Sequence, residues 1–462
     1  MALHSRSRLN RGIIFLSFLS LGILGLGWTH LNQEVHSLTT VDAQSGKVLW
    51  STSIDDVAPI RRIINHAGQV YTLAASRKES CGNWCVYIPF LSPTNQNVPG
   101  ITQVTAFDAT SGKQLWQFRT NNSNVLDWAD MQVTDQSVFL KTDKLTALDP
   151  TTGQIQRSIP LPANSQLPYE GAPSFNPNLV VSGDRVALLR VLETSNQLNS
   201  KALIETWQKT TGKQHQIFMP TPSSADFDGS SLAATNDTIL LFLPWERTAK
   251  ISGYAADTGK LKFSITTVVR QGVSVQDFYR NVLFSGSTIY QYIYSGSNRG
   301  KSVITVEAYD ANTGKLRWQA PISDSRCVNF GAVPDGFYLS CYSSFSASTA
   351  SLKFLDEKTG QQRWMKRFPE ATDLRLASTS YSPYISLEGY RVTSDAIVGF
   401  VNTKEADGVT KSSRLVAFST TDGRELWSVA DLDFETSIYG ADDDRVFLST
   451  KVSRLSNLGL QF

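Results

Sequence analysis

Apolar and polar residues alternate in short runs along most of this chain, and turns rich in Asp, Ser, Thr, Asn and Gly separate the runs. A period of two bounded by turn residues predicts half-buried strands joined as hairpins. The clearest unit is VEAYDANTGKLRW (Val306–Trp318). It returns as TTVDAQSGKVLW (Thr39–Trp50), TAFDATSGKQLW (Thr105–Trp116), LKFLDEKTGQQRW (Leu352–Trp364) and LVAFSTTDGRELW (Leu415–Trp427). Looser copies are LTALDPTTGQIQR (Leu145–Arg157), IETWQKTTGKQHQ (Ile204–Gln216) and ISGYAADTGKLKF (Ile251–Phe263). Their glycines, from Gly46 to Gly423, recur on average about every 54 residues, a period of propellers and solenoids.

Each copy reads as strand, tight turn and strand. An apolar residue stands five before the Gly, and in five copies an Asp stands four before it (Asp42, Asp108, Asp149, Asp310, Asp356). That carboxylate can accept backbone N–H bonds and close the turn, while the Gly supplies a positive φ. Four residues after the Gly comes Trp50, Trp116, Trp318, Trp364 or Trp427, with Phe263 in one copy. A ring at one fixed place per repeat points to packing between neighbouring sheets.

A second type of hairpin precedes each later copy: a polar turn feeding an apolar strand, from NHAGQVY (Asn65–Tyr71) and TDQSVFL (Thr134–Leu140) to DDDRVFL (Asp442–Leu448). Eight hairpins of each type give an all-β, eight-bladed β-propeller of four-stranded antiparallel blades. The hairpin Leu38–Ser51 has no partner before it, and Phe434–Ser449 has none after it. Joined, they form one blade from the N- and C-terminal strands and close the ring, which removes free sheet edges.

Strand parity places the hairpin turns on one face of the ring and the remaining connections on the other. The insertions Arg77–Gly100, Pro160–Pro177, Glu193–Lys201, Val268–Gln276, Tyr294–Lys301, Phe368–Pro383 and Val401–Lys411 are all expected on the second face. Insertions gathered on one face of a repeat protein mark its binding face. Candidate partner-binding residues there are Trp84, Tyr169, Trp245, Arg247, Arg299, Lys301 and Tyr381.

The N-terminus changes the picture. Arg6, Arg8 and Arg11 precede the apolar run Gly12–Trp28, which as a helix would be about 25 Å long. This predicts a signal-anchor helix over 1–28, a linker over 29–36 and the propeller over 37–462, on the outer, periplasmic side of a bacterial cytoplasmic membrane. Cleavage after Gly27, with release to the periplasm, is the alternative.

Charge is nearly balanced: 43 Lys and Arg against 41 Asp and Glu, a net of +2. That gives no nucleic-acid footprint, and a monomeric ring is expected. Of four cysteines, Cys327 and Cys341 flank Pro334-Asp335-Gly336 at similar distances, so antiparallel pairing sets them opposite each other. Cys81 and Cys85 lie in CGNWC; two local disulfides are expected, with free buried thiols as the alternative. Only His66 and His215 of the histidines fall within the ring, and no nucleophile–base pair or phosphate loop stands out, so no catalytic, metal or cofactor site is expected.

AYDANTGKLRW and AFDATSGKQLW resemble the pyrroloquinoline quinone (PQQ) repeat, typically A-x-D-x-x-T-G-x-x-x-W, and the resemblance covers about residues 37–455. It implies one of two groups. One is the quinoprotein dehydrogenases, which hold PQQ and calcium beneath a disulfide between adjacent cysteines; no Cys-Cys occurs here, and the acidic runs at Asp226 and Asp228 and at Asp442–Asp444 read as turns. The other is non-catalytic propellers similar to the outer-membrane protein assembly factor, which carry a lipidated Cys that this chain lacks. The expectation is a membrane-tethered scaffold taking a protein or peptide on the insertion-bearing face. A PQQ- and calcium-dependent dehydrogenase and a ligand-sensing propeller are the alternatives.

Overall fold

The computed structural model describes residues 35–54, 60–75, 100–122, 130–161, 179–192, 201–218, 231–245, 248–268, 282–298, 301–322, 326–333, 335–342, 350–368, 373–376, 395–404, 410–430, 436–441 and 444–452. Their regular structure is strand alone, in eight antiparallel four-stranded sheets. Blade 1 comprises β3 (Ile60–His66), β4 (Gln69–Ala75), β5 (Gly100–Asp108) and β6 (Gln114–Asn122), and blade 2 comprises β7 (Asp130–Val133), β8 (Val138–Lys141), β9 (Lys144–Leu148) and β10 (Ile155–Pro160). Blade 3 has β11 (Leu179–Ser182), β12 (Arg185–Leu192), β13 (Lys201–Gln208) and β14 (Gln214–Phe218). Blade 4 has β15 (Ser231–Ala234), β16 (Thr238–Trp245), β17 (Thr248–Ala255) and β18 (Leu261–Val268). Blade 5 has β19 (Val282–Ser285), β20 (Thr288–Asn298), β21 (Lys301–Asp310) and β22 (Leu316–Ile322). Blade 6 has β23 (Arg326–Val333), β24 (Gly336–Tyr342), β25 (Ala350–Asp356) and β26 (Gln362–Phe368). Blade 7 has β27 (Asp373–Leu376), β28 (Ala396–Lys404), β29 (Thr410–Ser419) and β30 (Glu425–Val429). Blade 8 joins β31 (Thr436–Ala441) and β32 (Arg445–Val452) to β1 (Val35–Asp42) and β2 (Val48–Ile54), so the two ends of the chain share one sheet.

Each blade runs from its first strand at the axis to its last at the rim, and the first strands of most adjacent blades touch, β3 meeting both β31 and β7. The apolar clusters lie between blades. One spans blades 8 and 1 through Leu38, Trp50, Ile63, Val70 and Phe107, and another spans blades 6 to 8 through Phe354, Trp364, Phe418, Trp427 and Val446.

The repeated turn has the chemistry its residues imply. Asp108 Oδ1 accepts from the backbone N–H of Thr110 and Ser111 and from the Ser111 hydroxyl, and Asp42, Asp149, Asp310 and Asp356 hold their turns in the same manner. A bulge follows at one recurring place, between Ala106 and Phe107 in blade 1 and between Ala308 and Tyr309 in blade 5.

In five repeats a Trp stands four residues after the Gly and docks on the next blade. Indole Nε1 donates to a backbone carbonyl across the interface: Trp50 to Ala109, Trp116 to Pro150, Trp318 to Glu357, Trp364 to Thr420 and Trp427 to Ala43, at 2.5 to 3.0 Å. The indole also lies flat against the turn glycine of that blade. Gly46 has φ 71°, and a Cβ there would sit 2.7 Å from the Trp427 ring. Both its conformation and its neighbour therefore require glycine. The Trp427 contact seals blade 7 to blade 8 with the same bond that four other interfaces use.

Cys327 and Cys341 are directly opposite on β23 and β24 and form a disulfide; Cys81 and Cys85 lie outside the described residues. The insertions depart from expectation in two ways. Tyr294–Lys301 and Val401–Lys411 fall largely within lengthened strands, β20–β21 and β28–β29. The segment Phe368–Pro383 is split by β27, so residues 377–394 join β27 to β28 and leave from the face of the short turns. The cause is that Asp373–Leu376, only four residues long, serves as the innermost strand of blade 7.

Removing residues after Asp433 deletes β31 and β32 and leaves β1 without its inner neighbour. The truncated chain is expected to lose cooperative unfolding in urea, whereas a dispensable tail would leave the midpoint unchanged. Trp427→Ala in the full chain should cost about 3–5 kcal/mol of stability, read from the same curves.

Candidate functional site: the insertion-bearing face and the interface of blades 2 and 3

On the face opposite the short turns, two-stranded ribbons pass beyond the sheets in blades 3, 5 and 7, the blade 3 ribbon ending at Leu192↔Lys201. The pairing of β19 with β20 ends at Val282↔Gln291, yet β20 continues beside β21 to Asn298↔Lys301. In blade 7, β28 continues beside β29 to Lys404↔Thr410, two pairs beyond its last β27 partner at Asp373↔Asn402 and further beyond the end of the β29–β30 pairing at Leu415↔Val429. Among the described residues, the ends of these ribbons are two-stranded backbone carried beyond the four-stranded sheets. Trp245 ends β16 and Lys301 opens β21. Their side chains, and Trp84, Tyr169, Arg247, Arg299 and Tyr381 entirely, lie outside the described residues.

Near the axis, on the same side as the ribbons, side chains link strands that no ladder joins. Asp130 on β7 accepts from Arg62 Nη1 on β3 through Oδ1 and from the Leu179 N–H of β11 through Oδ2 (3.2 Å). Gln132 Nε2 donates to the Leu179 carbonyl at 3.0 Å. Three successive blades are thereby tied at their inner strands.

The interface of blades 2 and 3 differs from its neighbours. Phe139 packs in a cluster with Leu179, Val186, Leu188 and Trp207 of blade 3. Strand alternation puts Lys141 on the same side as Phe139, and Arg190 on the same side as Val186 and Leu188. All three charged residues of this zone are buried: Lys141 at 2% exposure, Arg190 at 4% and Glu205 at 1%. Arg190 Nη1 pairs with Glu205 Oε1 at 2.6 Å, and Gln214 donates to the same oxygen at 3.2 Å. Among the described residues, Lys141 Nζ has no hydrogen-bond partner. Burial pushes the ammonium down to about 8, an effect opposed by the nearby Asp130 carboxylate. These buried charges were missed in the sequence, although each interrupts an apolar run: VFLK, VALLRVL and ALIETW.

At the turn end of this interface, blade 2 has Arg157 at the position of the indole. Its guanidinium lies over Gly212, and Nη2 donates to the Thr210 carbonyl at 2.8 Å. Pro150 brings a second local change. Elsewhere the residue after the turn Asp, such as Ala109 or Ala311, donates its N–H to the neighbouring hairpin turn of its own blade. Proline has no N–H, and Gln156 Nε2 reaches the Gln136 carbonyl instead, at 3.1 Å.

An unfolded lysine titrates near 10.4. Between about pH 8 and 10 the folded chain binds fewer protons at Lys141, so stability rises with pH across that window, and the burial penalty is fully present below it. Lys141→Met should therefore stabilise the protein by about 1–3 kcal/mol at pH 7. The gain should shrink above about pH 10, as measured by urea melts at both pH values.

With this geometry in view, comparison with known proteins is informative at the level of family. A PQQ-repeat family model described as outer membrane protein assembly factor BamB matches residues 27–212 and 302–438. No curated protein matches the chain. Among solved structures, BamB from Moraxella catarrhalis is similar at 11% identity and a TM-score of 0.38, over 89% of this chain and 90% of that one. Quinohemoprotein alcohol dehydrogenase ADHIIG from Pseudomonas putida HK5 is similar at 12% identity and a TM-score of 0.44, over 85% and 74%. A putative dipeptidyl aminopeptidase IV from Bacteroides ovatus is similar at 9% identity and a TM-score of 0.50, over 87% and 59%. The repeated Asp–Gly–Trp turn and the matched family model, which spans most of the ring, together make this chain a member of the BamB-like family of PQQ-repeat β-propellers.

Proposed function

We propose that this propeller is a protein-binding scaffold on the outer side of a bacterial cytoplasmic membrane, tethered by the N-terminal segment and acting in envelope or outer-membrane protein assembly. The family supports a binding propeller, since its description is that of an assembly factor. The observation that carries the reading is the set of ribbons, β12–β13, β20–β21 and β28–β29, extended beyond their sheets on the face that also takes most of the long connections. An extended segment of a partner can add to such a ribbon by backbone hydrogen bonding, with the loop side chains supplying selectivity. The tether rests on the sequence of residues 1–28. Among the described residues, no helix is long and apolar enough to cross a membrane.

A photo-crosslinking residue placed at Ser297, in the β20 ribbon, is expected to capture a protein partner in intact cells. The same residue at Lys113, on a short turn, is expected to capture none. Capture from Lys113 alone would contradict the assigned face. Tight uptake of added PQQ and calcium, with a rise in melting temperature and dye-linked oxidation, would replace the scaffold with a dehydrogenase.

A further inference from the structure

Where Arg157 replaces the docking indole, the interface does not close fully. A cavity of about 290 Å³ remains beside the guanidinium, walled by Phe139, Leu145 and Ile159 of blade 2 and by Val186 and Trp207 of blade 3. That is near the lower bound of ligand pockets, which run from roughly 300 to 1,000 Å³. Arg157 and Lys209 supply two cations to the lining, and no Asp or Glu contributes to it.

We propose that this socket binds a small aromatic carboxylate, a single ring system carrying one acid group on a short arm. The inference is independent of the scaffold reading. The ring part follows from six of the other interfaces, where the same slot between two sheets holds an indole (Trp50, Trp116, Trp318, Trp364, Trp427) or the phenyl of Phe263; blade 3 has Gln216 at that position. Arg157 reproduces the polar half of that contact through its bond to Thr210 but is narrower than an indole, so the apolar walls keep ring-sized space. The acid part follows from the lining charge. A guanidinium has five N–H donors in a planar fork, and the bond to Thr210 engages one of its nitrogens, which leaves an edge suited to a carboxylate. Lys209 at the rim favours the same sign.

The test uses the purified full-length chain with indole-3-propionate, followed by calorimetry and ligand-observed NMR. Saturable one-to-one binding with Kd below about 1 mM is expected. 3-Methylindole, the same ring without the acid, should bind at least about tenfold more weakly. Arg157→Trp refills the slot and should abolish binding while raising the melting temperature. Arg157→Gln keeps the slot open without the charge and should bind the two compounds alike. The proposal is overturned by no saturation at about 10 mM, by equal affinity of the wild type for both compounds, or by wild-type binding in a folded Arg157→Trp protein. If Arg157→Trp does not fold, Arg157→Gln decides: a retained preference for the acid overturns the role of the guanidinium.

Discussion

An indole lying flat on a glycine of the next blade is the joint on which this ring depends. Sheets in a propeller share no backbone ladder with their neighbours, so side chains must bind them. The indole contributes a large apolar face and one N–H, and the turn it meets offers a bare backbone surface and one carbonyl. The Asp of that turn matters for the same reason. By accepting two amide N–H bonds and a hydroxyl, it fixes the peptide whose carbonyl the indole must reach. These bonds hold the carboxylates of Asp42, Asp108 and Asp149 below the usual range, the side-chain hydroxyl bond leading at the first two and the backbone bond to Thr152 at the third. At Asp310 a bond from Arg317 leads and brings the value to about 2. These carboxylates therefore lend stability above about pH 4 that is lost as acid titrates them.

Because one joint recurs around the ring, the face that carries it is uniform and has little room to vary. Variation collects mainly at the opposite face, where strand ends need satisfy no neighbouring indole. The ribbons of blades 3, 5 and 7 extend there, and most long connections leave from there. Blades 2, 3 and 4 depart from the indole, with Arg157, Gln216 and Phe263 in its place, and the interface of blades 2 and 3 departs furthest. It gives up the indole for Arg157, gains a cavity, and places Lys141, Arg190 and Glu205 in its interior. Each buried charge weakens packing unless it is paired. Arg190 and Glu205 neutralise each other and Gln214 adds a bond to the shared carboxylate oxygen, whereas among the described residues the Lys141 ammonium has no hydrogen bond.

The parts of the fold visible in the sequence are those written in local chemistry. The Asp–Gly–Trp turn, the second hairpins, closure by both chain ends and the Cys327–Cys341 bridge all follow from spacing within a few residues or from the repeat itself. The misplacement of residues 377–394 arose because β27 is four residues of DLRL, too short to show alternation. The blade 5 ribbon looked like an insertion because Ser295, Gly296, Ser297 and Asn298 have loop composition, yet after an irregularity at Ser295 and Gly296 the strand resumes its pairing at Ser297 and Asn298. Arg157 was readable as a worn repeat, but its double contact with Gly212 and Thr210 depends on the neighbouring blade. The partner-binding side chains proposed for the loops fall outside the described residues, so that part of the site rests on the sequence.

Closure of the ring by its own ends is the central claim, and native-state amide hydrogen exchange tests it most directly. Strands β1 and β32 pair from Val35↔Val452 to Asp42↔Arg445. The account predicts that their amides exchange as slowly as those of β4 and β5 in blade 1, through the same global opening. Amides of β1 and β2 that exchange early, as a fraying end would, while blades 1 to 7 stay protected, would contradict it.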